Sequence, residues 1–271
     1  MKRLVFVLAL LLACGARSAV AAPSVILATT TSTQDTGLLD ALVPAFEQAS
    51  GYTVKTIAVG TGAALAMGER GDADVLLVHA PAAEAAYMAK GRGLSRALVM
   101  HNAFIIVGPG NDPAHVKAAA SAQDAFAAIA RAGATFVSRG DDSGTNSKEL
   151  ALWKAAGVTP DGAWYLKSGS GMGDTLHIAS QKAAYTLTDD GTYLAQRATL
   201  ALVPLVEGAK DLLNIYHVIV VNPIAGRVAN EAGGAAFAAF VVSRQGQQII
   251  ATYGRERFGR PLFTPDAGKG E

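Results

Sequence analysis

Four short segments share one design: a β-rich run ends, small hydroxyl residues and glycines follow, and a helical pattern begins. They are "ATTTSTQDTG" (Ala28 to Gly37), "VGTGAAL" (Val59 to Leu65), "SRGDDSGTNSKEL" (Ser138 to Leu150) and "GSGMGDTL" (Gly169 to Leu176). Each sets backbone N–H groups and Ser or Thr hydroxyls at a helix start, where the first four N–H donors lack intrahelical partners and the macrodipole is positive. Such an end can hold an anion. Glycine permits close backbone approach, and hydroxyls donate without bringing charge. Any one segment alone reads most simply as a cap and a turn. Four of them at strand exits point to a pocket, because open α/β sheets bind ligands at those edges.

Arg139 is the one obvious formal charge in these segments, and its planar fork suits bidentate contact with an oxyanion. Asp141 and Asp142 leave three roles open: pairing with Arg139, capping the following helix, or accepting a proton from a protonated ligand. Other chemistries find less support. "VGTGAAL" lacks the lysine of a Walker motif. His79, His101, His115, His177 and His217 are scattered, so no metal site is expected. "GSGMG" has a serine between glycines without the G-x-S-x-G spacing. An exported hydrolase of small esters remains the enzyme alternative, although no base for it is legible.

The elements that must position these residues alternate along the chain. "SVILATT" reads as a buried strand, "LLDALVPAFEQASG" as a helix interrupted at Pro44 and stopped at Gly51, and "YTVKTIAVG" as the next strand. A short helix "AALAMGERG", a strand "DADVLLVHA" and a helix "PAAEAAYMAKG" follow. This βαβα order predicts a parallel sheet with helices on its faces. Further on, Ser121 and Asp124 have capping-box spacing, Gly133 ends that helix, and a strand runs into Ser138. "TNSKELALWKAAG" is a helix ending at Gly157, and "AAYTLTD" is a strand. Two such units suggest two lobes. "HNAFIIVGP" (101 to 109) and "YHVIVVNP" (216 to 223) are apolar runs, each led by a histidine, that could cross between them. A hinged pair of lobes places a cleft at their junction.

Composition agrees. At 271 residues, 51% apolar and 17% charged, the chain can bury a sizeable core. A formal net charge of +1 argues against nucleic acid or an anionic membrane as partner and favours a small ligand. Residues 1–21 read as a signal peptide, with Lys2 and Arg3, an apolar run from Leu4 to Ala13, and cleavage after Ala21. The alternative is a lipid anchor at Cys14, through an approximate lipoprotein signal "LLAC". Both place the protein outside the cytoplasm. Cys14 is the single cysteine, so no disulfide is expected.

Together, "LATTTSTQDTGLLD", "VGTGAALAMGERGDADVLLVHAP", "SRGDDSGT" and "GMGDTL…AAYTLTDDGTYL" resemble the tungstate-binding substrate-binding proteins of tungstate ABC importers, over residues 24 to 260. The resemblance implies an α/β, two-lobed periplasmic binding protein (type II) with two crossover strands and an interlobe ligand cleft. The expected boundaries are 24–105 and 218–271 for lobe 1 and 106–217 for lobe 2. It implies a monomer that captures tungstate or molybdate and delivers it to a membrane ABC permease, with no cofactor. Ligand contacts would come from Thr30, Thr31, Ser32 and Thr61 in the first lobe, and from Arg139, Ser143, Gly144 and Thr145 in the second. Gly171 to Gly173 are weaker candidates. The chain departs from the family pattern at Asn146, where histidine often follows "SGT", and at Ala103, where the first crossover often carries an acidic residue.

The donor chemistry adds a selection rule. Tungstate and molybdate are fully ionised acceptors at neutral pH, whereas monohydrogen phosphate carries a proton that seeks a carboxylate. A donor-only pocket rejects phosphate by roughly a few kcal/mol. A phosphate binder would instead turn Asp141 or Asp142 inward. Sulfate is also a pure acceptor, so only pocket size can exclude it.

Overall fold

The computed structural model describes residues 22–223 and 230–270. The expected signal peptide and Cys14 lie outside the described residues. The order of elements is β1 (Ser24–Thr30), α1 (Thr31–Asp35), α2 (Leu39–Ser50), β2 (Thr53–Val59), α3 (Thr61–Arg70), β3 (Val75–Val78), α4 (Pro81–Ala89) and β4 (Gly93–Pro109). Then come α5 (Ala122–Ala132), β5 (Phe136–Ser138), α6 (Gly144–Ala155), β6 (Tyr165–Lys167), α7 (Met172–Gln181), β7 (Thr186–Asp189), α8 (Asp190–Gln196) and β8 (Leu202–Val206). The chain closes with β9 (Leu213–Val221), α9 (Glu231–Val242), α10 (Arg244–Thr252), α11 (Arg255–Phe258) and β10 (Thr264–Pro265).

The main sheet runs β10-β4-β9-β3-β1-β2, with β7 and β8 also paired to β4. The expected parallel pairing holds for β1 with β2 and with β3. The sheet is nevertheless mixed, because β9 lies antiparallel to both β3 and β4. The two histidine-led runs pair with each other, His101 opposite Ile215 and Leu98 opposite His217.

β4 is 17 residues long and serves two neighbourhoods. Up to Ala103 it pairs with β9; from Phe104 onward it pairs with β7 and then β8. On one side of that handover the strands β1, β3 and β9 are covered on both faces. Val25, Leu27, Val75, Leu77 and Val218 pack under α2, α9 and α10, while Ala28, Leu76, Val78 and Ile219 pack under α3 and α4. On the other side, Phe104 and Ile106 face α5 and α6 with Phe126, Phe136 and Trp153, and Ile105 and Val107 face α7 with Met172 and Leu176. Period-two alternation along β4 therefore feeds two layers at once. The result is a two-lobed α/β molecule with two cores joined by long strands.

Pro44 does not interrupt α2, contrary to expectation. The helix continues to Ser50 and ends at Gly51 in the left-handed region, φ 74°. Proline removes a single intrahelical donor. Leu39, Leu42 and Phe46 lie at helical spacing and are buried against the first core, which outweighs that loss.

Candidate anion-binding site

The four segments converge at the junction of the two halves. On the first side, β1 ends at Thr30, whose extended backbone caps α1 while its hydroxyl accepts from Thr33 N at 3.2 Å. Thr30 and Ser32 are fully buried, and Thr31 half so. The next strand, β2, leads to Gly60 and then to Thr61 at the start of α3.

On the second side, β5 runs into Arg139, which is 1% exposed. Gly140 and Asp142 adopt left-handed backbone, φ 60° and 55°, and fold the loop back so that Ser143 caps α6 by accepting from Asn146 N at 3.1 Å. The backbone of Arg139 is fixed from behind. Its carbonyl accepts from Gly169 N at 2.9 Å and from the Ser168 hydroxyl at 3.3 Å.

Arg139 reaches across to the first side. Nη2 donates to Thr31 Oγ1 at 3.0 Å and to Asp141 Oδ2 at 2.5 Å, and Nη1 donates to Ser32 Oγ at 3.4 Å. Asp141 takes Ser143 N on its other oxygen at 3.3 Å, so this carboxylate braces both the guanidinium and the turn. Asp142 is exposed, and its carbonyl accepts from Gly62 N at 3.3 Å. Both carboxylate oxygens of Asp141 are thus taken up within the turn.

The approach is tight at three glycines and demands glycine at one of them. A Cβ on Gly60 would stand 3.0 Å from the Asp141 carbonyl, and one on Gly62 3.1 Å from that of Asp142. At Gly144 it would meet the His79 carbonyl at 2.7 Å. Glycine in the "SGT" turn is thus a condition for seating α6 against the end of β3.

Three buried donors in this junction make no hydrogen bond to the described residues: Arg139 Nε, Thr61 Oγ1 and Thr145 Oγ1. Orphaned buried polar atoms are costly, typically about 1–3 kcal/mol each, which makes these three candidates for contact with a ligand. With the N–H groups at the starts of α3 and α6, they form a set of donors drawn from both halves.

The fourth segment behaves differently. Gly173 N, in the first turn of α7, donates to Asp35 Oδ2 at 3.0 Å, so this expected ligand contact is occupied by a carboxylate from the other half. Asp35 lies one helical turn after Thr31. Burial pushes its pKa up, and the Gly173 N–H and nearby Arg139 oppose that shift.

Polar residues that the sequence reading passed over support the site from behind. Glu149, fully inside, accepts from Ser138, Tyr165, Trp153 and Asn146. Asn102 on β4 and Asn214 on β9 bond each other at 2.8 Å across the handover. Asn102 donates onward to Asp189, whose other oxygen accepts from Thr192. His79 Nδ1 pairs with Asn214 Oδ1 at 2.8 Å, and burial pulls its pKa down to about 4. Burial pushes Asp189 up to about 6. Helical or strand spacing carries no mark of these partners, because they come from segments up to 135 residues apart.

Among the described residues, no group of three or more His, Cys, Asp or Glu side chains could hold a metal ion, and no helix is long and apolar enough to cross a membrane.

A lobed α/β fold with anion donors at its junction describes a class of binding protein, and the comparisons place the chain there. The family described as "PBP superfamily domain" matches residues 17–245. A tungstate-binding protein TupA from Peptoclostridium acidaminophilum is 50% identical over 248 residues, 91% of this chain and 87% of the relative. A putative ABC transporter anion-binding protein from Haloferax volcanii is 53% identical over 246 residues, 89% of this chain and 71% of the relative. The crystal structure of the tungstate ABC transporter from Geobacter sulfurreducens superposes with a TM-score of 0.77 at 47% identity, over 85% of this chain and 98% of that one. The chain belongs to the PBP superfamily and, within it, to the family of these ABC-transporter binding proteins.

Proposed function

We propose that the protein is a periplasmic, non-enzymatic receptor that captures tungstate, and molybdate second, between its lobes and passes it to a membrane ABC permease. Lobe 1 comprises 24–105 and 218–271, and lobe 2 comprises 106–217. Residues 1–21 act as the export signal, with Cys14 as the alternative lipid anchor, and the receptor works as a monomer without a cofactor.

The observation that carries this reading is the unpaired donor set of Arg139 Nε, Thr61 Oγ1 and Thr145 Oγ1, buried where the halves meet. Thr30, Thr31, Ser32, Ser143 and Gly144 complete the pocket. The caps leave room for this, since a hydroxyl that accepts from an N–H can still donate its own proton. Asp141 is committed to Arg139 and Asp142 to solvent, which favours a fully ionised tetrahedral anion over monohydrogen phosphate. The relatives named for tungstate support the choice of anion.

Closure follows from the same contacts. Arg139 to Thr31 and Ser32, Gly62 to Asp142, and Gly173 to Asp35 all join the two sides, and a ligand that bonds both sides stabilises the arrangement in which they meet. The test is parallel calorimetric titration with tungstate, molybdate, sulfate and phosphate. Tungstate and molybdate are expected to bind tightly, sulfate weakly and phosphate not at all. Phosphate competing with tungstate would overturn the donor-only reading.

A further inference from the structure

We propose that Glu149 and Asn146 are positioning residues for the anion: neither touches it, and together they set where Arg139 and Thr145 present their donors. The inference rests on the anion-receptor reading of the same site.

Glu149 is 2% exposed and sits among Phe136, Leu152 and Trp153, where an apolar side chain would fill the volume. Instead it collects four donors: Ser138 Oγ at 2.7 Å, Tyr165 OH at 2.7 Å, Trp153 Nε1 at 3.0 Å and Asn146 Nδ2 at 3.4 Å. Burial pushes its pKa up, against the pull of those donors. A buried carboxylate is costly unless its lone pairs are used, and here donors reach both oxygens.

Two of the donors come from positions that abut the pocket. Ser138 immediately precedes Arg139, and Asn146 immediately follows Thr145. Asn146 completes the frame. Its Nδ2 donates to Ser138 Oγ at 3.2 Å, its Oδ1 accepts from Asp142 N at 3.3 Å, and its backbone N–H is taken by Ser143. The loop 138–146 is thereby tied across its base, with β5 fastened to the first turn of α6. The left-handed residues Gly140 and Asp142 allow the loop its shape, and the Glu149–Asn146–Ser138 frame selects one version of it. A chain with histidine at 146 would have to build this frame differently.

The proposal predicts that Glu149→Gln disturbs the pocket from a distance. The amide brings two donors of its own into a site built from donors, and the loop shifts. Tungstate affinity is expected to fall by about tenfold to a hundredfold, the scale seen when an outer-sphere partner of a binding group is lost. A double-mutant cycle separates positioning from general loss of structure. Combined with Thr145→Ala, the loss caused by Glu149→Gln is expected to shrink by the share that acts through Thr145, while the share that acts through Arg139 remains. Combined with Thr61→Ala, on the other lobe, the losses should multiply to within about twofold. Unchanged tungstate affinity in folded Glu149→Gln, or equal multiplicativity with both threonine variants, overturns the proposal. Should Glu149→Gln fail to fold, Tyr165→Phe removes one donor from the same carboxylate. A loss of about twofold to tenfold is then expected, because the three remaining donors still hold the carboxylate, and unchanged affinity overturns the proposal. Wild-type protein is titrated with molybdate and sulfate alongside. If it binds one of these and not tungstate, the choice of anion fails, and the same cycle run with the bound anion still decides the role of Glu149.

Discussion

The two sides of the junction present similar donors by different means. The first side brings neutral groups: hydroxyls of Thr31, Ser32 and Thr61, and the start of α3, with no formal charge of its own at the pocket beyond Asp35, which is bonded to Gly173. The second side brings a buried cation, Arg139, and supports it with Asp141 in contact and Glu149 behind. The difference teaches where rigidity is needed. A hydroxyl at a helix start is placed by its own helix. A guanidinium on a flexible stem is placed only if other groups hold it, and a charged contact in a dry site loses more when misaimed than a neutral one.

The comparison can be broken most directly at Arg139. Arg139→Ala removes a charge-assisted contact worth roughly 1.5–3 kcal/mol and strands Asp141, so tungstate affinity should fall by about tenfold to a hundredfold or more in calorimetry. An unchanged affinity would remove the charge asymmetry altogether.

Gly144→Ala tests the closeness of approach. The added Cβ would stand 2.7 Å from the His79 carbonyl, so the two sides must part. Overpacking of about 1–3 kcal/mol should appear as a loss of binding of roughly fivefold to a hundredfold. The separate lobes should stay folded, as read by circular dichroism. Unimpaired binding would show that the junction can relax.

Smaller effects are expected from Thr61→Ala and Thr145→Ala, each about tenfold, the lower end of the scale for one hydroxyl donating to a charged acceptor. Thr61→Ala costing as much as Arg139→Ala would mean the neutral side carries the binding.

The smallest effect concerns pH. His79 on the first side has its pKa lowered from 6.5 to about 4, so between those values the unfolded chain takes up a proton that the folded chain refuses, and stability falls as pH drops. Asp189 on the second side is raised from 3.8 to about 6, so through that window the folded chain holds the extra proton and stability rises as pH drops. The two offset each other. Asp189→Asn should therefore lose more stability than wild type between pH 7 and 4.5, measured by urea midpoints. Equal losses would show that Asp189 does not titrate in this range.

Much of the fold was legible in the residues. Ser121 with Asp124, Gly133 and Gly51 mark helix ends because capping and left-handed backbone are local matters. The caps at Thr30 and Ser143 and the helix start at Thr61 were legible for the same reason: a strand end, a hydroxyl and a helix start are neighbours in sequence. Pro44 misled, because the burial of Leu42 and Phe46 that carries the helix past it depends on a core assembled elsewhere. The parallel sheet was half right, since β9 enters from a distant part of the chain and runs the other way.

What the sequence determined by itself was the type of donor, Ser, Thr, Gly and a single arginine at helix starts, with the roles of Asp141 and Asp142 left open. Tertiary structure decided which donors remain available. Gly173 is spent on Asp35, Asp141 on Arg139, and the Thr30 oxygen on its cap, whereas Thr61, Thr145 and one nitrogen of Arg139 are left over. Hydrogen-bond satisfaction depends on distances between groups far apart in the chain, and local pattern carries no record of them.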